Sequence, residues 1–224
     1  MFENFKNSID FYLRNKIKFS RKNFIEKNKK LIERNIQENL YTEDILSQAF
    51  QKIDKTDVQI LDIGTKNWFY AKGEHNFFNK LYENFSIDGI ELDAYRIYSN
   101  FYNRLEVAKY HTKNLENMNY IAGNLLDINK KYDYIIWFLP FVKPKAHMLW
   151  GLPLKYFYPE KLFLHAYNLL QKNGQMLIVN QGKEEACVQE KMLNSFNIKY
   201  EKLNELNSVH FKYQNTRFGF LVKK

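Results

Sequence analysis

From residue 57 onward the chain alternates short apolar runs with segments of helical spacing, and no other feature narrows its folds so far. The runs are residues 58–64 (Val-Gln-Ile-Leu-Asp-Ile-Gly), 86–91, 120–123, 132–141 and 175–180. A run apolar on both faces suits a strand buried inside a parallel sheet. Between the runs, residues 95–113 place Ile97, Phe101, Leu105 and Ala108 at helical spacing. Residues 159–171 do the same, with Pro159 at a first helical position and Asn173-Gly174 closing the helix. Strands linked through helices give an α/β sheet with right-handed crossovers. The tail changes pattern. Residues 198–203, 210–213 and 217–222 read as strands, the last two joined by the hairpin-length turn Gln214-Asn215-Thr216. The expected architecture is three-layer α/β, with a mostly parallel seven-stranded sheet ending in an antiparallel strand.

Residues 1–56 read as a helical N-terminal segment ahead of a sheet domain spanning 57–224. Phe5, Ile9, Tyr12 and Leu13 recur at helical spacing, as do Phe24, Leu31 and Ile32, and Thr42 before Glu43 and Asp44 suits a helix start. Hydrophobic residues make up 45% of the chain, enough for a full core, so wholesale disorder is excluded. The single cysteine, Cys187, excludes an internal disulfide and suits a reducing cytosol. It falls on a helical segment and reads as a small core residue. No cluster of His, Cys and Asp has metal-ligand spacing. The longest apolar run, 134–142, is broken by Pro140 and falls far short of the roughly 20 residues that span a bilayer. The reading is a soluble, cytoplasmic protein with no membrane partner. The net charge of +9 reflects abundant Lys. The basic stretch 14–34 reads as a solvated helix face, and in its functional version as an arm facing substrate or RNA.

Open α/β sheets bind ligands beyond the carboxyl ends of their strands. Three loop sites fall there. Gly64 ends the first run and lets backbone N–H groups approach a ligand. Glu91 ends the second, where a carboxylate can accept two hydrogen bonds from a ribose diol. Asn124, after the third, has an amide suited to a nucleobase edge.

In this order the signals resemble the class I, Rossmann-like, S-adenosylmethionine-dependent methyltransferases, over about residues 57–224. Asp62-Ile63-Gly64 sits at that family's glycine-containing cofactor motif. Gly89-Ile90-Glu91 matches its strand-two acid, and Leu92 falls where an apolar residue covers the adenine. Gly123-Asn124-Leu125 matches the pair near the adenine amino group. Tyr132-Asp133-Tyr134-Ile135-Ile136 and the stretch 169–177 look like the openings of strands four and five. The resemblance implies methyl transfer from S-adenosylmethionine to a small-molecule or RNA acceptor. The family's motif continues Gly-x-Gly-x-Gly, whereas Lys66 and Trp68 hold the later positions here, so the loop is expected to be reshaped. Lys66 is assigned to the cofactor carboxylate.

Residues 143–158 read as a non-helical insertion after strand four that could cover an acceptor. His147 is its candidate base, and Phe138, Trp150 and Tyr156 are candidate acceptor contacts. His75 is placed in the loop after strand one, also near the acceptor. Methyl transfer needs alignment more than a fixed catalytic motif. The rival reading is a non-catalytic binding protein of the same fold, with Trp68 filling the cofactor cleft. A nicotinamide-dependent oxidoreductase is disfavoured, because residues 64–69 do not supply Gly-x-Gly-x-x-Gly.

Overall fold

The computed structural model describes residues 29–98 and 101–224. Seven strands form one sheet: β1 (Asp57–Ile63), β2 (Asn84–Glu91), β3 (Met118–Ala122), β4 (Tyr132–Phe138), β5 (Leu170–Gln181), β6 (Tyr200–Leu206) and β7 (Arg217–Lys223). Their order is β3-β2-β1-β4-β5-β7-β6. Strands β1 to β5 run parallel, and β7 runs antiparallel between β5 and β6. The chain order reverses between β1 and β4, so that pair marks the switch point where α/β sheets open a ligand crevice.

The strands are apolar on both faces because both are covered. Val58, Ile60, Tyr134 and Ile136 face one layer, with Ile45 and Leu46 of helix α1 (Lys29–Ala49) and Phe77 and Phe78 of α2 (Ala71–Leu81). Leu61, Ile63, Ile135 and Trp137 face the other, with Phe163 of α5 (Pro159–Leu169) and Leu193 of α6 (Gly182–Ser195). Among the described residues no helix is long and apolar enough to cross a membrane.

Several local expectations need correction. Thr42 does not begin a helix. It lies inside α1, buried, and its hydroxyl donates to the Glu38 carbonyl one turn back at 2.9 Å. Within 95–113 the described helix is α3 (Arg104–Thr112). Asn103 starts it with a capping box against Glu106, and an isolated antiparallel bridge pairs Ile97 with Asn103. The helix at 159–171 stops at Leu169, since Leu170 already pairs with Tyr132 in the sheet. Residues 143–158 contain a short helix, α4 (Pro144–Leu149), begun by Pro144, and a 3-10 turn (Leu154–Tyr156). Residues 210–213 form no strand, and the hairpin partner of β7 is β6. Cys187 is exposed on α6, not in the core. The hydrophobic spacing at Phe5 to Phe24, and residues 14–28 of the basic stretch, fall outside the described residues.

Candidate functional site

A cleft of about 1100 Å3 opens over the carboxyl ends of the parallel strands. It runs from the loops after β1, β2 and β3, across the end of β4, to α1, α6 and the start of β7.

The loop after β1 forms one wall. Gly64 has φ +77°, and a Cβ built on it would meet nothing within 4 Å, so the cleft comes right up to the backbone there. Lys66 (φ 58°) and Trp68 (φ 47°) also adopt the left-handed conformation, usually left to glycine. Both side chains are thus carried on a left-handed backbone in this loop. That costs roughly 1–2 kcal/mol per residue. Local bonds offset it. The Lys66 N–H donates to Glu91 Oε2 at 2.9 Å, and Tyr120 Oη donates to the Lys66 carbonyl at 2.5 Å. The Trp68 N–H donates to the Thr65 carbonyl at 2.9 Å, and its indole N–H to Glu74 Oε2 at 2.7 Å.

Trp68 is fully buried and turns away from the cleft, into the layer between the sheet and α1 and α2. A Cβ at Gly89 would come within 2.8 Å of its ring and 2.6 Å of Thr65 Cγ2. Gly89 thus gives the indole its place under β2, and the cleft above stays open.

Glu91 ends β2 on the cleft wall and is 7% exposed. Its Oε2 accepts from the Lys66 N–H, while Oε1 accepts from the Asp93 N–H at 2.8 Å and from Arg104 Nη1 at 2.9 Å. A carboxylate offers about four lone-pair directions. Three are taken, so Glu91 has room for one further donor, rather than the two expected of a ribose grip. Arg104 is buried beside it and also lines the cleft. Above them, Trp150 faces Lys66 Nζ at 4.6 Å and the Arg104 guanidinium at 5.9 Å. Arg96 donates to the Trp150 carbonyl and ties that segment to the β2 loop.

Leu92 is 42% exposed and lines the cleft, and Leu125 is buried in its floor. The Asn124 Oδ1 accepts from the Leu126 N–H at 3.1 Å, capping a 3-10 turn (Leu125–Asp127), and its amide N–H groups are left for a ligand.

Asp62 does not reach the cleft. It is fully buried, takes a hydrogen bond from Tyr70 Oη at 3.0 Å, and lies beside the equally buried Glu74. Burial pushes the Asp62 carboxyl up to about 7, and burial together with the Asp62 charge pushes Glu74 well above the carboxylate range. In the unfolded chain an Asp releases its proton near pH 4. The folded state keeps it up to about pH 7, so this pair stabilises the fold most at low pH and that contribution is lost as pH rises through about 7. Asp62→Asn is expected to flatten the fall in stability between pH 5 and 7, as read by urea denaturation. An unchanged slope would place the titrating group elsewhere.

No protein-family model matches the chain, and no curated protein sequence matches it. Solved structures do. A SAM-dependent methyltransferase from Aquifex aeolicus aligns with a TM-score of 0.60 at 14% identity, covering 87% of this chain and 96% of the other. Precorrin-6y C5,15-methyltransferase from Geobacter metallireducens aligns at 0.54 and 14% identity, over 82% and 88%. Magnesium protoporphyrin IX methyltransferase from Synechocystis PCC 6803, with bound SAM, aligns at 0.51 and 8% identity, over 92% and 90%. The chain has the class I, Rossmann-like methyltransferase fold.

In this methyltransferase fold, Gly64, Lys66, Glu91, Leu92, Asn124 and Leu125 line one cleft together with Phe138, His147, Trp150 and Tyr156, and Trp150 stands at the Lys66 and Arg104 side of it. His147 is 3% exposed on α4, edge-on to Phe141 and Phe157. Its Nε2–H donates to the Pro153 carbonyl at 3.0 Å, which leaves only Nδ1 as an acceptor. His75 needs correction. It sits on α2 rather than in a loop, edge-on to Phe85 at 5.3 Å, and does not line the cleft. Burial lowers its pKa. Among the described residues no group of three or more His, Cys, Asp or Glu could hold a metal ion.

Sequence reasoning missed the far end of the cleft. Arg34, Glu38 and Tyr41 of α1 line it together with Tyr213 and Arg217. Their helical spacing on α1 was visible, but only the packing of α1 across α2 shows which stripe faces the cleft.

Proposed function

We propose that the chain transfers a methyl group from S-adenosylmethionine to an acceptor that enters the same cleft. The observation that carries the reading is Glu91 at the end of β2, one acceptor position still open, facing the space that Gly64 leaves clear. The residues present fit the cofactor: a carboxylate for a sugar hydroxyl, Leu92 for an adenine face, the Asn124 amide for a base edge, and Lys66 for a carboxylate. When bound, the cofactor supplies a sulfonium-linked methyl. The protein's part is to hold an acceptor in line with that methyl and to exclude water. The segment 143–158, with Trp150 against Lys66 and Arg104, supports the second task. His147 Nδ1 is the candidate base for an acceptor that must lose a proton. The RNA version rests on the stretch 14–34. In its described part, Arg34 pairs with Glu38 at 2.6 Å.

A second reading is favoured by the Arg104–Glu91 pair and by Trp150 against Lys66 and Arg104, since these contacts already engage the Glu91 carboxylate and its neighbours within the chain itself. In that reading the fold is a binding scaffold without cofactor. Calorimetric titration with S-adenosylhomocysteine separates the two. The enzyme reading expects saturable heat in the micromolar range, and no heat at high micromolar ligand would sink it. Gly64→Val sharpens the test. The Cβ enters open space, so the fold should survive a backbone penalty of roughly 1–2 kcal/mol. The side chain would occupy the cofactor space, and binding should weaken at least about tenfold.

A further inference from the structure

The end of the cleft away from Glu91 is built by α1 and the start of β7. Strand β7 runs antiparallel to β5 and pairs Arg217 with Gln181, so the first residue of β7 lies at the carboxyl end of β5, over the cleft. The Arg217 guanidinium stacks on Tyr213 at 4.4 Å. Tyr41 meets the same Tyr213 edge-on at 5.0 Å. Arg217 is 9% exposed and Tyr41 8%. Neither is satisfied: Arg217 Nη1 and Tyr41 Oη are buried without a hydrogen-bond partner. Among the described residues Arg217 has no ion pair. The nearby carboxylates are already engaged. Glu38 takes Arg34 at 2.6 Å and Tyr213 Oη at 3.0 Å, and Glu185 accepts from the Gln181 N–H at 3.1 Å.

A buried cation without a counterion is costly, and a buried hydroxyl without a partner adds to the cost. Two such donors converging on one cleft wall point to a ligand that completes them. We propose that this wall binds a carboxylate of the methyl acceptor, with Arg217 supplying the charge and Tyr41 a second hydrogen bond. One uncompensated guanidinium balances one negative charge, which fits a carboxylate better than a phosphate carrying nearly two. The floor between this wall and the β1 loop carries Tyr70 and Phe138, packed edge-on at 5.4 Å, so the body of the acceptor is apolar or aromatic. The assignment rests on the methyl-transfer reading for the word acceptor, but the anion site can be measured without it.

The test uses the full chain without cofactor, with sodium benzoate as carboxylate probe and inorganic phosphate as the competing anion. Benzoate is expected to raise Tm saturably and phosphate to raise it far less. Arg217→Met should bind benzoate at least about tenfold more weakly, the loss of one charged hydrogen bond. It should also melt at or above the wild-type temperature, because it removes an unpaired buried charge. Tyr41→Phe should weaken benzoate by about tenfold, the loss of one hydrogen bond to a charged acceptor. Phosphate binding more tightly than benzoate overturns the carboxylate assignment. An Arg217→Met protein that melts well below wild type and still binds benzoate normally makes Arg217 a structural residue and overturns the site. Failure of either anion to bind does the same. S-adenosylhomocysteine is titrated separately, so its failure to bind would remove the methyl-transfer reading and no part of the anion result.

Discussion

Glu91→Ala is expected to destabilise the protein by about 3 kcal/mol, and on the methyl-transfer reading to weaken binding of S-adenosylhomocysteine at least about tenfold, the loss of one hydrogen bond to a charged group. The stability loss follows from what Glu91 already does without ligand. It is the partner of Arg104 Nη1 at 2.9 Å, and both side chains are more than nine-tenths buried. Removing one member of a buried pair leaves the other as an uncompensated charge, typically at a cost of about 3–5 kcal/mol. The lower end applies here because Asp93 Oδ2 lies 3.7 Å from the guanidinium and can take over part of the pairing, although Arg96 already holds it at 2.5 Å. The N–H groups of Lys66 and Asp93 lose their acceptor as well. Lys66 is one of the residues held in a left-handed conformation, so the loop is freed where it is most strained. The measurement is urea denaturation of three proteins. Glu91→Gln keeps an oxygen for the two N–H groups and should fall between wild type and Glu91→Ala. Glu91→Ala combined with Arg104→Met should regain much of the loss, as the orphaned charge is then gone. A loss below about 1 kcal/mol for Glu91→Ala would show that the pair is solvated, contrary to its burial.

The fold was legible in the sequence where burial leaves a two-sided signature. Residues 58–64 and 132–138 are apolar on both faces because helices cover both sides of the sheet, and the resulting strands are β1 and β4. The signature failed where local propensity lost to tertiary context. Residues 210–213 alternate like a strand, yet Phe211 and Tyr213 pack edge-on at 4.7 Å in a loop whose Tyr213 lines the cleft. Cys187 looked like core by type, but it falls on the solvent side of α6. The loops that line the cleft were legible as well, since Gly64, Glu91 and Asn124 lie at or just after strand ends on the same edge. What could not be read was the outcome at Trp68. A bulky residue at a glycine-like position suggests a blocked cleft. The decisive fact, that Gly89 on the neighbouring strand clears a place for the indole beneath the sheet, links residues 21 positions apart in sequence. The far wall was hidden for a similar reason, because Arg217 and Tyr41 meet only after β7 has inserted beside β5.

Gly73→Ala gives the other large effect, and its sign separates two physical arguments. Gly73 lies in the first turn of α2. On helix propensity alone, replacing a helical glycine by alanine should stabilise by up to about 1 kcal/mol. The tertiary structure reverses this. A Cβ at Gly73 would stand 2.2 Å from the Asn39 carbonyl oxygen and 3.0 Å from Thr42 Cβ, both on α1. The obstacle is backbone rather than a flexible side-chain end, so α1 and α2 must separate. Overpacking of this kind costs about 1–3 kcal/mol. Separation also stretches the Gly73 N–H bond to Asn39 Oδ1 at 2.7 Å and the bond from Asn39 Nδ2 to the Phe69 carbonyl at 3.2 Å, each worth about 1 kcal/mol. The net expectation is a loss of about 2–3 kcal/mol in urea denaturation, where propensity would give a gain. Function should divide along the cleft. Arg34, Glu38 and Tyr41 ride on α1, so the carboxylate wall moves with it and benzoate binding should fall several-fold. Glu91, Leu92 and Asn124 stand on β2, its loop and the loop after β3, and only the β1 loop is tied to α1, through the Phe69 carbonyl, so S-adenosylhomocysteine affinity should fall less than benzoate affinity. A stabilised Gly73→Ala protein would mean that the two helices already have slack at this crossing. The wall carrying Tyr41 would then not be fixed closely enough by α2 to hold its hydroxyl beside Arg217.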